Sequence, residues 1–319
     1  MLKLAGFLLA LTCAGAACSQ TLPQKPARFV VGFPPGGPSD ILARALGQKL
    51  AGRFGQPVVV ENRPGAGGNL AAELVARSAP DGQTWLLGNN SILATNQSLY
   101  RSLPYDPEKD FAPVALVAIQ PNILVVNPGF AVFSVKELIE ATKASPGRFN
   151  YASSGAGAAA HLAGELFKAM AGVDIVHVPY KGAQPALTDV IAGQVQMMFA
   201  TSASVIPYVK AGRLRALAVT TAQRSASVPE LPTVSEAGVP GFEATTWHGV
   251  VVPAGTGTVL IQSLNEKINA VLNEKDLKEK LQNLGAEVAS TTPREFADFI
   301  AREIPKWAKV VKDSGARAE

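Results

Sequence analysis

The feature that most constrains this chain is an alternation of short, unbroken apolar runs with amphipathic segments. Runs at 28–32, 58–61, 85–88, 114–118, 124–126, 150–152, 175–178, 197–199, 216–220 and 250–252 read as strands, most without polar interruption. A strand covered on both faces has this pattern, whereas a strand with one wet face alternates apolar and polar residues. Between the runs lie helical segments such as 70–77, 135–144, 161–171 and 185–192. The turns carry Pro80-Asp-Gly82, Pro146-Gly147, and Ala211-Gly212 after Lys210, residues that set or tolerate turn backbone. The predicted fold class is α/β, with βαβ crossovers and parallel-rich sheets. From 258 to 312 the pattern changes to two long amphipathic helices. One spans 259–284 with a break near Asp276, and the other, 293–311, opens on Pro293, which suits a first helical turn.

The first twenty residues hold one charge, Lys3, with an apolar stretch at 4–11 and a small-residue run, Ala14-Gly-Ala-Ala-Cys18. A membrane span needs about 20 apolar residues, so 1–20 is predicted to be a secretory signal peptide, cleaved after Ala16 or Ala17. Gly15 stands where a lipobox carries Leu or a similar residue, so a free periplasmic protein is favoured over one lipidated at Cys18. Cys13 and Cys18 are the two cysteines of the chain, and the mature chain is therefore expected to have no disulfide and no thiol nucleophile. The net charge is +4 with Lys3, and no basic block is present, so nucleic acid is not an expected partner. About 300 mature residues suit two domains at 100–200 residues each.

Two junctions carry the functional signal. Val30-Val-Gly-Phe-Pro-Pro-Gly-Gly-Pro-Ser-Asp40 leads from a strand through a Gly/Pro loop into a helix with Ile41, Leu42, Ala45, Leu46 and Leu50 on one face. Ser39 or Asp40 is expected to cap that helix. Tyr151-Ala-Ser-Ser-Gly-Ala-Gly-Ala-Ala-Ala-His161 repeats the arrangement. Glycine lets backbone approach a ligand, and a helix start attracts anions through its free N–H groups and dipole. Gly37 and the amides of Gly155, Ala156 and Gly157, with the Ser153 and Ser154 hydroxyls, can hold a carboxylate. His161 faces the same cleft as a ligand-facing or loop-holding residue. Phe33 is a cleft wall or core. Asn90 and Ser91 end a strand where α/β sheets place ligands, Gln120 follows a hinge-like run, and Tyr180 and Lys181 offer a hydroxyl and an ammonium. Both loops also read as tight connections, and for Pro64-Gly-Ala-Gly-Gly68 the two readings stay level.

Other chemistries lack their residues. His161, His177 and His248 have no metal-ligand spacing and no cysteine to help, so no metal is expected. Gly155-Ala-Gly-Ala-Ala-Ala160 approximates a dinucleotide fingerprint, but the next strand, Ile175-Val-His-Val-Pro-Tyr180, ends without the acid that would hold a ribose, and no cofactor is expected. No G-x-S-x-G elbow or P-loop is present.

The chain resembles the Bug family, the periplasmic substrate-binding subunits of tripartite tricarboxylate transporters. The resemblance rests on Val31-Gly-Phe-Pro-Pro-Gly-Gly37, Val60-Glu-Asn-Arg-Pro-Gly-Ala-Gly-Gly68, Pro80-Asp-Gly82, Tyr105-Asp-Pro, Asp110-Phe-Ala-Pro-Val114, Val178-Pro-Tyr-Lys-Gly182, Leu214-Arg-Ala-Leu-Ala-Val219 and Pro232-Thr-Val-Ser-Glu-Ala-Gly238, in order along the mature chain. It implies a two-domain periplasmic binding protein with a double-strand hinge: 26–122 plus 247–319 as a discontinuous first domain, 123–246 as the second, and crossings near 119–123 and 244–250. It further implies a monomer without catalysis, capturing a small carboxylate (a di- or tricarboxylate or an aromatic acid) for integral-membrane transporter subunits. The positions it assigns to ligand are Phe33, Ser39, Asp40, Asn90, Ser91, Ser153, Ser154, Gly155, Gly157 and His161, with the first loop reaching the ligand through waters. Ala200 and Thr201 stand where many relatives place an Asp that meets a ligand amine, so selection of an amino acid is not expected. His248 replaces an aromatic at the cleft rim. The alternatives are a sensor subunit for a membrane signalling partner and, from another class, a secreted hydrolase using Ser154 and His161.

Overall fold

A computed structural model describes residues 25–155, 157–180, 182–283 and 285–318. The predicted signal peptide with Cys13 and Cys18, and the candidate ligand residues Ala156 and Lys181, lie outside the described residues. The strands assemble into two sheets. Among the described residues, one sheet has six strands and the other five.

The first sheet starts as a βαβ unit: β1 (Ala27–Val31), α1 (Pro38–Phe54) and β2 (Val58–Asn62), then α2 (Asn69–Ala76) and β3 (Thr84–Asn89). β1 pairs in parallel with both β2 and β3. A wide π turn at Ser91–Thr95 and the short α3 (Asn96–Leu99) lead to β4 (Phe111–Gln120). The chain then crosses into the second sheet: β5 (Asn122–Val126), α4 (Val135–Ala144), β6 (Asn150–Ser153), α5 (Ala159–Ala171), β7 (Val176–Pro179), α6 (Ala183–Ile191), β8 (Met197–Thr201), α7 (Ser202–Lys210) and β9 (Arg215–Val219). It returns through β10 (Thr246–Pro253) and finishes the first sheet with α8 (Thr258–Leu272), α9 (Lys275–Asn283), β11 (Glu287–Val288) and α10 (Pro293–Ser314).

The α/β class and mixed sheets are as expected, with one shift in balance. β1–β2, β1–β3, β6–β7 and β6–β8 run parallel, whereas β10 against β3 and β4, β11 against β4, and β5 against β8 and β9 run antiparallel. The antiparallel pairs gather around the strands that enter and leave the crossings. Two chain segments make the passage. Only Pro121 separates β4 from β5, and residues 244–245 lead back into β10. Asn122 ties them together: its Nδ2 donates to the Ala244 carbonyl at 3.1 Å, and its backbone N–H donates to Thr220 Oγ1 at 3.1 Å.

The apolar runs become the core. One cluster packs Phe29, Val31, Leu46, Trp85 and Val250 under α1 and α8. A second runs through both sheets, joining Val30, Leu86 and Trp247 to Leu124, Tyr151 and Phe167. The third fills the other face of the second sheet with Ile123, Met198, Ala200 and Val219. The long C-terminal helix predicted at 259–284 breaks into α8 and α9 at Asn273–Glu274, slightly before Asp276.

Candidate functional site

The first glycine loop is closed by side chains rather than left open. The residue capping α1 is Gly37, with Pro38 first in the helix and no side-chain cap bond, which corrects the assignment of that cap to Ser39 or Asp40. Both are buried and engaged elsewhere. Ser39 Oγ pairs with His248 Nε2 at 2.9 Å. The Asp40 carboxylate accepts the Gly36 N–H at 2.9 Å, Asn62 Nδ2 at 2.9 Å and Arg44 Nε at 3.0 Å. Burial alone would raise its pKa; the hydrogen bonds from Arg44, Gly36 and Asn62 outweigh it and hold the carboxyl below the usual range. Asn62 also donates to the Phe33 carbonyl at 3.0 Å, and the half-buried Phe33 ring packs against the cores on both faces of the sheet. Asp40 and Asn62 thus work as a brace that fixes the loop.

The second loop is held by histidines. Ser153 is fully buried. Its Oγ pairs with His177 Nε2 at 2.6 Å, donates to the Gly155 carbonyl at 2.9 Å and accepts the Gly155 N–H at 3.1 Å. The Gly157 N–H donates to His161 Nδ1 at 2.9 Å, which leaves the ring proton of neutral His161 on Nε2, facing Glu165 at 3.9 Å. The two imidazoles stack with centroids 3.8 Å apart, and Tyr151 stacks on His177 at 5.0 Å. Burial lowers the His161 pKa. Burial and then the neighbouring His161 push His177 down to about 4. The glycines meet positive φ, 145° at Gly155 and 75° at Gly157, conformations closed to most side chains. A Cβ at Gly157 would lie 2.5 Å from Leu99 Cδ2 of the first sheet's half, so the two halves already touch there. Half-buried Ser154 accepts the Gly182 N–H on its carbonyl at 3.1 Å.

The hydrolase alternative pairs Ser154 with His161, but the Nδ1 of His161 is taken up by the Gly157 N–H. The parallel register of β6 and β7 sets Tyr151 beside His177 and brings that imidazole to Ser153, a hydroxyl too buried to meet a substrate. The other candidates divide. Tyr180 turns its hydroxyl to Asp189 at 2.7 Å, and Ala200 packs into the core of the second sheet. Asn90 is buried at the end of β3, and Ser91 opens the π turn after it. Gln120 and Thr201, which close β4 and β8, line one cavity of 190 Å³ together with Gly36 and Pro38 of the first loop and Ala203 of α7. Leu281 of α9 and Ala286, missed in the sequence because α9 reads as a solvated helix, form its back wall.

This cavity lies between the halves, where helix starts converge. α1 begins at Gly37 on one side and α7 at Thr201 on the other, neither with a side-chain cap bond; α5, starting at Ala158 beside Ser154, has none either. Pro38 has no N–H and the Ser202 N–H is taken by the Pro121 carbonyl, so α1 and α7 offer the cleft the N–H groups that follow, which have no intrahelical acceptor, and their positive dipole ends. A wider groove of 630 Å³ between α5 and α10 is walled by charges that pair among themselves, Glu165 with Lys168 and Lys309 with Asp313. Among the described residues no group of three His, Cys, Asp or Glu is placed to hold a metal, and no helix is long and apolar enough to cross a membrane.

Two α/β halves, joined by paired crossings and enclosing a cleft of helix starts, define a solute-binding protein of the periplasmic type. The family profile described as the tripartite tricarboxylate transporter family receptor matches residues 42–316. The protein BugT of Bordetella pertussis is 40% identical over 312 residues, 98% of this chain and 96% of BugT. The chain therefore belongs to the tripartite tricarboxylate transporter receptor (Bug) family. Among solved structures, R. palustris Rpa4515 with adipate is 40% identical, with a TM-score of 0.79 over 92% of this chain and 99% of that one. MatC (Rpa3494) from Rhodopseudomonas palustris with bound malate is 34% identical, with a TM-score of 0.75 over 91% and 99%.

Proposed function

We propose that this protein captures a small carboxylate between its two halves in the periplasm and presents it to membrane subunits of a tripartite tricarboxylate-type transporter. Residues 26–122 with 247–319 form one jaw and 123–246 the other, pivoting at the crossings, and 1–20 direct export. The observation that carries the reading is the cavity between uncapped helix starts of opposite jaws, α1 and α7, with Ser154 and α5 following β6, the parallel neighbour of β8. Backbone N–H groups and hydroxyls in a partly dry cleft favour a carboxylate without a cationic side chain. The relatives with adipate and malate point to the same ligand chemistry. Binding requires no catalytic group, and the Ser153–His177 pair serves to shape a loop.

Native mass spectrometry of freshly purified protein, followed by calorimetric titration with the acid identified, tests this. One acid is expected per chain. Ser154→Trp, which fills the space before α5, is expected to weaken that acid at least tenfold with unchanged circular dichroism. Retained affinity in this variant would place the site elsewhere.

A further inference from the structure

The cavity between the jaws has two chemically distinct ends. Its rim is the pair of helix starts described above. Its interior is aliphatic: Ile41 and Leu42 from the first two turns of α1, Leu281 from α9, and Ala203 and Ala286 close it, and among the described residues none of its lining side chains is charged. Leu42, Leu281 and Ala286 are buried members of the apolar core, so the wall is preformed. Among the described residues, polar lining side chains are confined to Gln120 and Thr201 at the ends of β4 and β8. β6 and β8 are adjacent parallel strands, so Ser154, the residue after β6, lies about one strand spacing, some 4.8 Å, from the end of β8, which reaches the cavity mouth at Thr201.

We infer that the captured acid is a mono-anion with an uncharged apolar body of about one ring, its carboxylate at the helix starts and its body among Ile41, Leu42, Leu281 and Ala286. This inference rests on the carboxylate-binding reading above. A second carboxylate carried into this interior would meet neither a cation nor a set of donors among the described residues, and burying an unpaired charge is far costlier than burying a methylene. Apolar atoms placed there strengthen binding by about fourfold per methylene group. The size also fits: an aliphatic-walled cavity of about 150 Å³ takes up a benzene ring, and this one measures 190 Å³. The distance from Ser154 to the interior calls for a short linker, as in an arylalkanoic acid.

The test is calorimetric titration of the mature chain with 3-phenylpropanoate, propanoate, adipate, malate and citrate. The expected order puts 3-phenylpropanoate first, at least tenfold tighter than adipate, with citrate weakest. In Ala203→Phe, whose ring occupies the cavity, the ratio of 3-phenylpropanoate to propanoate affinity is expected to fall at least tenfold. Ile41→Ala, which thins the opposite wall, is expected to lower the same ratio, so the result does not hang on one variant. If adipate, malate or citrate binds tightest and neither substitution changes the ratio, the apolar-body inference is overturned while carboxylate capture stands. If none of the five acids binds and none co-purifies, the carboxylate reading itself fails.

Discussion

The three histidines each hold a group from another segment: His161 the Gly157 amide, His177 the Ser153 hydroxyl, and His248 the Ser39 hydroxyl. Each is held neutral by burial, His177 and His248 with pKa values lowered to about 4. Above pH 6.5 these side chains are neutral in both folded and unfolded chains and contribute no pH dependence. Between 6.5 and about 4 the unfolded chain binds protons that folded His177 and His248 refuse, so stability falls as pH falls, by about 1.4 kcal/mol per pH unit for each of these two, and lowered His161 acts in the same direction. Asp40, Glu61 and Glu274 have lowered carboxyl pKa values. Their contribution is lost only as pH drops below the ordinary carboxylate range, which leaves the upper window to the histidines. Urea midpoints measured from pH 7 to 5 should decline, and His177→Gln should flatten the slope; a level profile in the wild type would refute the assignment. Protonation of His161 at Nδ1 would also set a donor against the Gly157 N–H, so ligand affinity should weaken over the same acid range. Glu303 is the other residue with a large local role. It is buried, accepts the indole N–H groups of Trp247 at 2.9 Å and Trp307 at 2.8 Å, and pairs with Lys306. Glu303→Leu strands two buried donors and should cost about 2–4 kcal/mol in denaturant unfolding, whereas Glu303→Gln keeps an acceptor and should lose less. These partnerships were hidden in the sequence. The glycine loops were legible because backbone freedom has its own residue, but the pairing of Ser153 with His177 depends on strand register, which spacing does not reveal.

At the scale of elements, α5 shows how a helix is shaped to carry the second loop. Gly164 lies in its interior, where glycine costs about 1 kcal/mol relative to alanine. The reason is Tyr151: a Cβ at position 164 would lie 2.2 Å from Tyr151 Cε2. That ring stacks on His177, and its hydroxyl donates to Glu165 of α5 at 2.6 Å. Gly164→Ala should therefore destabilise by about 1–3 kcal/mol despite its better helix propensity and weaken ligand binding by displacing Tyr151 and the histidine pair. Thermal unfolding and titration of this one variant check both parts, and a net stabilisation would show that the ring yields freely. Element types followed from periodicity, and the bounds that slipped have physical causes. β10 is read from its apolar run at 250–252, yet it extends over Thr246–Pro253 because β3 and β4 flank it and satisfy its backbone, with irregular register at His248/Gly249 and Val250/Val251. At Gly249 the missing side chain admits the Phe296 ring, 2.1 Å from where a Cβ would stand. Local sequence encodes neither the flanking strands nor that ring.

The whole molecule is two halves that share contacts on either side of their crossings. Gly157 meets Leu99, Ser202 Oγ donates to the Gly285 carbonyl at 3.1 Å, Ser225 bonds to Glu287, and α5 lies against α10. Two halves and a cleft were legible from chain length, the strand alternation and the paired glycine junctions; the α9 wall was not, because its apolar residues are few and its charges dominate. Asn122 is the fastener of the crossings, since its side chain grips the returning segment at Ala244 while its backbone N–H is held by Thr220. Its position beside Pro121, whose carbonyl accepts the Ser202 N–H, places it where φ and ψ must change if the jaws pivot. Asn122→Ala removes one buried hydrogen bond and leaves the Ala244 carbonyl without that donor, a cost of about 1–3 kcal/mol. The more informative consequence concerns ligand. An acid bound by both jaws favours only the arrangement in which they face each other, and at one hundred times its Kd it should stabilise the wild type by about 2.7 kcal/mol. Freed crossings widen the set of arrangements in which only one jaw is presented, so the competent fraction falls and the apparent Kd rises in proportion. Calorimetry of both proteins with a fixed concentration of the identified acid should give a clearly smaller ligand-induced shift in Tm for Asn122→Ala. Equal shifts would mean that the jaws are set by the α5–α10 and Gly157–Leu99 contacts alone, with the crossings passive.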